Sequence, residues 1–271
     1  MKMVEKPLQV TVVIPSYNHK AYVADAIRSV LNQEGKDFTY QLLVMDDGST
    51  DGSVDLLLDL QKKAELSFEL VLKKNEGLCR TLNRAIREYS TGHYIAVLAS
   101  DDMWRKDKLQ KQIQLLLENA SSELCYSNAQ KFSDNGLAGK SSRIMFDGDV
   151  TNRLTLYNFI PAGTILFSRT LYDLVGGFDE TGLRLEDWDF LLRASAVTEF
   201  CYIDEELLYY RLHDESSIAK MRERGILYQE KMKVLCKNKE ILNPFLRFCS
   251  IFLHFSLDAV LRPFISKLRA K

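Results

Sequence analysis

Three acidic clusters carry the chemistry this sequence could perform: Asp46-Asp47, Asp101-Asp102 and Glu186-Asp187-Trp188-Asp189. Paired carboxylates at a strand end suit a hard divalent cation held jointly with substrate phosphates. Asp, Gly and Ser also build turns and helix caps, and Asp46-Asp47-Gly48-Ser49 is open to that second reading. A calcium loop fails there: with Asp47 first, Asp51 and Gly52 fit, but Leu58 occupies the place of the required bidentate Glu. Asp101 and Asp102 would repel each other near a buried strand end, and either a metal or a basic partner would relieve them; a cap is the alternative. His213 can be a ligand or a satisfied core histidine. Trp104 and Trp188 can stack on sugars, although core packing is the commoner role of Trp.

The elements that must position these groups alternate in type. Val10–Ile14 and Leu42–Met45 are short apolar runs of the kind buried on both faces of a sheet. Leu70–Leu72 and Tyr94–Ala99 read as further strands. Between them, Val23, Ala26, Ile27, Val30 and Leu31 fall at helical spacing, as do Leu56, Leu57 and Leu60, and then Leu78, Leu82, Ala85, Ile86 and Tyr89. Such alternation predicts an α/β fold around a largely parallel sheet. Ligands of open α/β sheets sit beyond the carboxyl ends of the strands, so Asp46-Asp47 and Asp101-Asp102 are expected at one crevice. Downstream, Lys108–Glu118 and Leu185–Ala196 read as helices, and Leu124–Ser127, Thr164–Phe167 and Leu207–Leu212 as strands. Asp134–Asp149, polar and Gly-containing, reads as a mobile loop.

Five segments together resemble the family 2 glycosyltransferases in order and spacing. They are Val13-Ile14-Pro15-Ser16-Tyr17-Asn18, Met45-Asp46-Asp47-Gly48-Ser49-Thr50-Asp51, Asn75-Glu76-Gly77 with Asn83, Ala99-Ser100-Asp101-Asp102, and Leu185-Glu186-Asp187-Trp188-Asp189, within a match over residues 8–215. The resemblance implies a GT-A fold, Rossmann-like with a mixed, mostly parallel sheet, and an inverting enzyme using a nucleotide-sugar and a divalent metal, Mn²⁺ or Mg²⁺. It implies a nucleotide pocket of Pro15, Tyr17, Asn18, Asp46, Asp47 and Asp101, with Tyr17 stacked on the base and Asp47 hydrogen-bonded to it. Asp102 would be the direct metal ligand, with His213 near the metal or diphosphate. Asp187, next to Glu186, would be the catalytic base, with Trp188 and Trp104 toward the acceptor. A UDP-sugar donor and a glycan or lipid-linked acceptor follow from the same resemblance. Residues 1–103 would bind the nucleotide-sugar, 104–220 would supply acceptor site and base, and 221–271 would form a helical C-terminal extension.

Other readings lack their residues. Pro15-Ser16-Tyr17-Asn18 replaces the Gly-x-Gly-x-x-Gly of a dinucleotide-binding turn, and no P-loop is present. A sugar-phosphate nucleotidyltransferase would carry a Gly-rich, Arg-containing loop after the first strand. A non-catalytic nucleotide-sugar-binding module would keep the pocket but release no nucleoside diphosphate. The formal net charge of −1 argues against a nucleic-acid partner. It is nonetheless split: residues 221–271 hold 11 basic against 4 acidic residues, for +7, and residues 1–220 carry −8. The five cysteines have no Cys-x-x-Cys spacing, and Met1–Pro7 lacks an apolar leader, so a reducing, cytoplasmic setting is expected. Asn243-Pro244 reads as a helix start and Pro263 as its end or a kink. Within that helix Arg247, Ser250, His254 and Asp258 form a narrow polar stripe, which predicts that the broad apolar remainder is buried, against the catalytic domain, a second copy in a homodimer, or a membrane surface.

Overall fold

The computed structural model describes residues 8–36, 38–63, 66–141, 144–213 and 216–261. Its strands are β1 (Leu8–Ser16), β2 (Phe38–Asp46), β3 (Glu69–Leu72), β4 (Tyr94–Val97), β5 (Met103–Trp104), β6 (Ser122–Ser133), β7 (Gly136–Lys140), β8 (Leu166–Ser168) and β9 (Glu199–Arg211). Its α-helices are α1 (Val23–Leu31), α2 (Ser53–Gln61), α3 (Leu78–Arg84), α4 (Lys108–Glu118), α5 (Thr151–Leu156), α6 (Arg169–Leu174), α7 (Glu186–Ser195), α8 (Ser217–Glu223), α9 (Leu227–Lys237) and α10 (Pro244–His254).

All strands join one mixed sheet in the order β3-β2-β1-β4-β8-β6-β9-β5, with β7 paired to β6. The first four are parallel, β1 running beside β2 from Leu8↔Phe38 to Ser16↔Asp46. β8 runs antiparallel to both β4 and β6, β9 lies parallel to β6, and β5 closes the far edge antiparallel to β9. β1 is buried along its centre because the sheet is covered on both faces. Val13, Leu43 and Met45 enter a core roofed by α3, α5, α6, α7 and α9, whereas Val10, Val12, Ile14, Leu42 and Val44 face α1, α2 and α4. The period-two alternation of a strand distributes one apolar run between two cores.

Three expectations change. Asp134–Asp149 contains β7, whose residues are exposed and pair with β6 across a register shift at Lys131/Phe132; an exposed hairpin arm carries no hydrophobic pattern to announce it. The strand expected at Leu207–Leu212 begins at Glu199, and α3 widens into a π-helical turn over Ala85–Tyr89.

The third concerns α10, which starts as expected: the Asn243 side chain accepts from the amides of Phe245 and Leu246, and Pro244 opens the first turn. Its faces, however, are reversed. Ser250 and His254 are buried, while Phe245, Phe248 and Phe252 stand exposed, as does Phe255 at the start of the π-helical continuation Phe255–Leu261. The cause lies in the partners of the polar stripe: Ser250 Oγ donates to the Leu156 carbonyl (3.0 Å), His254 meets the Trp188 ring edge-on (5.7 Å between centroids), and Asp258 pairs with Lys231 (2.5 Å). Pro263 and the basic residues from Arg262 to Lys271 lie outside the described residues, as do Met1–Pro7. Among the described residues no helix is long and apolar enough to cross a membrane.

Candidate functional site

The loops after β1 and β2 are laced together. Asp46, buried at the end of β2, accepts from Ser16 Oγ (3.2 Å), Ser49 N (2.8 Å) and Ser49 Oγ (2.7 Å). Asn18 sits at φ 54°; its amide donates to Ser49 Oγ (2.8 Å) and its side-chain oxygen accepts from Thr50 N (2.8 Å). Asp47 pairs with Lys73 and accepts from the amides of Glu76 (2.8 Å) and Gly77 (2.9 Å), so it holds the Asn75-Glu76-Gly77 loop against the strand end. Gly48 is required here, because its φ is +76° and a Cβ would stand 2.8 Å from the Asn75 amide. Beside this frame Pro15 is half-buried and the Tyr17 ring is 47% exposed, a free aromatic face at the β1 terminus. Asn83 works elsewhere, bridging Tyr172 and Phe178 to fix α3.

The second acidic pair divides. Asp101 Oδ2 lies 2.9 Å from His213 Nε2. Asp102 turns inward, nearly fully buried, and accepts from the Arg211 amide (2.9 Å). Burial first, and the charge of Asp101 second, push the Asp102 carboxyl well above the usual carboxylate range. Arg211 anchors the turn: Nε donates to the Asp101 carbonyl (2.9 Å), and its guanidinium lies over Tyr22 (4.8 Å) and Phe132 (4.6 Å). His19 contacts Ser100 Oγ (2.7 Å), with its ring 6.1 Å from that of His213.

A carboxylate oxygen and an imidazole nitrogen converging at this distance suit Mn²⁺ or Mg²⁺ when diphosphate oxygens complete the shell. Among the described residues no three His, Cys, Asp or Glu form a group that could hold a metal ion. His213 Nδ1 is buried without a hydrogen-bond partner among them.

The third cluster opens α7 and divides likewise. Asp187 Oδ2 accepts from Asn158 Nδ2 (2.9 Å). Burial raises the Asp187 carboxyl; burial and the adjacent charge of Asp187 push Glu186 up to about 8. Both residues are half-buried, and neighbouring carboxyls so placed titrate as a pair. Asp189 points the opposite way, into the core, where it binds Arg193 (2.7 Å), Lys237 (2.8 Å) and Asn238 (2.8 Å). The two tryptophans expected at the acceptor are core residues. Trp188 is 1% and Trp104 4% exposed, with indole N–H groups donating to the carbonyls of Leu154 and Gly163 (2.8 Å each). Neither offers a face to a sugar, because each serves the apolar core that its ring area favours.

Tyr210 ties the carboxylates into one place. Its phenol is pushed up to about 12, first by burial and then by the charges of Asp102 and Asp101, with a smaller influence of Asp187. Cationic groups of α8 reach the same place: Lys220 acts on His19, and Arg222 on Tyr210. Sequence reasoning missed both; their only signal was a basic pair just after Tyr210-Arg211-Leu212-His213. A cavity of about 640 Å³ beside Asp25, Arg28, Trp104 and Tyr209 contains none of these carboxylates.

Comparison with known proteins gives three findings. The family model described as glycosyl transferase family 2 matches residues 11–176. A putative teichuronic acid biosynthesis glycosyltransferase, TuaG, of Bacillus subtilis is 40% identical over 42% of this chain and 44% of its own length. The chain spans 34–44% of the length of the first curated relatives it matches. Among solved structures, S. aureus TarS 1-349 with UDP-GlcNAc aligns over 94% of this chain and 74% of its own, at 17% identity and a TM-score of 0.69. The mannosyltransferase PcManGT of Pyrobaculum calidifontis, with GDP-Man and Mn²⁺, aligns over 96% and 72%, at 15% identity and a TM-score of 0.68. At these identities the structural likeness is one of fold.

Proposed function

The chain belongs to glycosyl transferase family 2 and has the GT-A fold, and from that premise we propose that it moves a sugar from a nucleotide-sugar to an acceptor hydroxyl with inversion. The observation that carries the reading is the Asp101–His213 pair (2.9 Å) on the turn anchored by Arg211, with the Asn158-held carboxyl of Asp187 near enough for its charge to act, like that of Asp101, on the Tyr210 phenol. We assign residues 1–103 to the nucleotide-sugar and 104–220 to the acceptor and base. The TarS and PcManGT structures hold UDP-GlcNAc and GDP-Man, and TuaG is described in teichuronic acid biosynthesis; by analogy the donor is a UDP- or GDP-sugar, UDP favoured, and the acceptor a cell-surface glycan or its lipid-linked precursor at the cytoplasmic face.

In this mechanism Tyr17 stacks on the base, and the frame built by Asn18, Asp46 and Asp47 fixes the β1 and β2 loops beneath the nucleoside. Asp101 and His213 would hold a divalent cation, rather than the Asp102 that the family resemblance implies, since Asp102 turns inward and secures the turn to β9. When bound, such a cation acts as a Lewis acid toward the developing diphosphate charge. Lys220 and Arg222 add positive charge on the same side. Asp187, oriented by Asn158, takes the acceptor proton as the hydroxyl oxygen forms its bond to the anomeric carbon and the bond to the diphosphate oxygen breaks. A single base opposite the leaving group gives one displacement, hence inversion. Burial and the charge of Asp187 push Glu186 up to about 8, which favours placing the negative charge of the pair on Asp187. The test is a donor screen with Mn²⁺ across UDP-, GDP- and dTDP-sugars, read as nucleoside diphosphate release. Release with one donor that vanishes in Asp187→Asn supports the reading; release from none overturns it.

A further inference from the structure

The bond that orients the base, from Asn158 Nδ2 to Asp187 Oδ2 (2.9 Å), joins residues 29 apart in the chain. Its geometry depends on how the end of α5 meets the start of α7. α5 is six residues long and stops at Leu156, where Tyr157 turns to extended backbone (φ −165°). The last carbonyls of a helix have no partner within it, and one that is buried unpaired is costly. Here two of them are satisfied from outside. Leu154 O accepts from the indole N–H of Trp188 (2.8 Å), the residue after Asp187. Leu156 O, two residues before Asn158, accepts from Ser250 Oγ of α10 (3.0 Å).

Ser250 and His254 lie one turn apart on α10 and so share a face. Both are buried. His254 meets the Trp188 ring edge-on, with 5.7 Å between centroids and 78° between planes. Its Nδ1 lies 3.1 Å from Lys231 Nζ of α9, and Lys231 also pairs with Asp258 (2.5 Å). One face of α10 therefore grips both sides of the Asn158–Asp187 bond and is itself held by α9. Apolar packing alone would keep α10 in place without fixing a direction, whereas a hydrogen bond and an edge-on ring contact are directional. Direction matters at this place, because a displacement of about 1 Å at a reacting group costs about 10²-fold in rate.

We propose that Ser250 and His254 are positioning residues for the transfer: by holding the Leu156 carbonyl and the Trp188 ring, they set the Asn158–Asp187 hydrogen bond that aims the base. This rests on the assignment of Asp187 as base, and it gives α10 a part in catalysis exerted through residues of α5 and α7.

The experiment compares Ser250→Ala, His254→Ala and His254→Phe with the parent chain, each assayed below its own melting transition. Turnover, donor KM and the pH dependence of kcat are measured, and the two alanine variants are repeated in an Asn158→Ala background. Each alanine variant should lower kcat at least about tenfold with donor KM within about twofold of the parent. His254→Phe keeps a ring against Trp188 and should restore kcat to within about threefold. The Asn158 bond lowers the Asp187 carboxyl, so loosening it should move the acid limb of the profile to higher pH. Glu186 is present in every variant, so the difference reports the Asn158 contact. In the Asn158→Ala background the alanine changes should have little further effect on kcat, since the bond they act through is gone. Effects that add to that of Asn158→Ala overturn the proposal, as does parental kcat in both alanine variants; either result leaves Asp187 as the base. A readout without turnover separates the two readings. In carbonyl ¹³C NMR of labelled Asp, with the Asp187 signal identified by its loss in Asp187→Asn, Ser250→Ala should displace the titration upward by at least about half a unit. An unmoved titration overturns the clamp. A displaced titration in a chain that transfers no sugar supports the clamp while the assignment of the base falls.

Discussion

Asp187→Asn and Asp189→Asn should separate chemistry from folding within three residues of chain. Asp189 is fully buried and accepts from Arg193 at 2.7 Å, Lys237 at 2.8 Å and Asn238 at 2.8 Å, joining α7 to α9. Asn at 189 keeps the volume but removes the anion, leaving Arg193 without its carboxylate partner. Removing one partner of a buried pair costs about 3–5 kcal/mol. Lys237 keeps Asp179 at 2.7 Å, and both cations reach solvent, so the lower end applies, about 3 kcal/mol. At roughly 2–4 °C per kcal/mol for a chain of this size, the melting temperature should fall by about 6–12 °C. The assay is a circular-dichroism melt in parallel with nucleoside diphosphate release, the latter normalised to folded protein well below the transition. Asp189→Asn should melt early yet turn over normally when folded. A loss under about 1 kcal/mol would refute the network reasoning. Normal stability with abolished turnover would transfer the role of base from Asp187 to Asp189.

Asp187→Asn should lower turnover by about 10²–10⁴-fold while leaving nucleotide-sugar affinity, measured calorimetrically, unchanged. Asp101→Asn should weaken Mn²⁺-dependent UDP binding at least about tenfold, whereas Asp102→Ala should chiefly lower stability by leaving the Arg211 amide without its side-chain acceptor; the opposite pattern by calorimetry would return the metal to Asp102. Glu186, raised to about 8 from an ordinary value of 4.5, gives the folded state an extra proton between those pH values. Stability from this group is therefore full below about pH 4.5 and lost as pH rises toward 8. Glu186→Gln should flatten that decline in melts taken from pH 5 to 9, and a parallel decline in the variant would remove Glu186 as its source.

Legibility from sequence followed how local the governing physics was. β1, β2, α1 and α4 were readable because continuous apolar runs and 3.6-residue periods state directly which faces meet the core. β7 was not, because an exposed arm has no hydrophobic pattern. The acidic clusters were found by residue type, yet type could not divide them. Asp101 differs from Asp102, and Asp187 from Asp189, only in which way a turn or helix points each carboxylate, and the partners that decide it stand 109 and 48 residues away, at Arg211 and Lys237. The tryptophans failed likewise: the Leu154 and Gly163 carbonyls that accept from Trp188 and Trp104 are 34 and 59 residues distant.

The reversal of α10 shows what composition alone hides. A helix with one narrow polar stripe is expected to bury its broad apolar side, because burial scales with area. That inference holds when the neighbouring surface is apolar. Here the surface offered by α5, α7 and α9 presents the Leu156 carbonyl and the Lys231 ammonium, each of which needs a polar partner when covered; Ser250 serves the first, and His254 and Asp258 serve the second. Satisfying them selects Ser250, His254 and Asp258 for the interface and leaves the phenylalanines outside. An unsatisfied buried amine or carbonyl costs about 1–3 kcal/mol, comparable to exposing one ring, so three satisfied contacts compete with a row of exposed side chains. Lys231→Met with Ser250→Ala and His254→Leu should therefore let α10 turn its aromatic side inward, read as reduced binding of an apolar fluorescent probe relative to the parent chain; unchanged probe binding would refute the account.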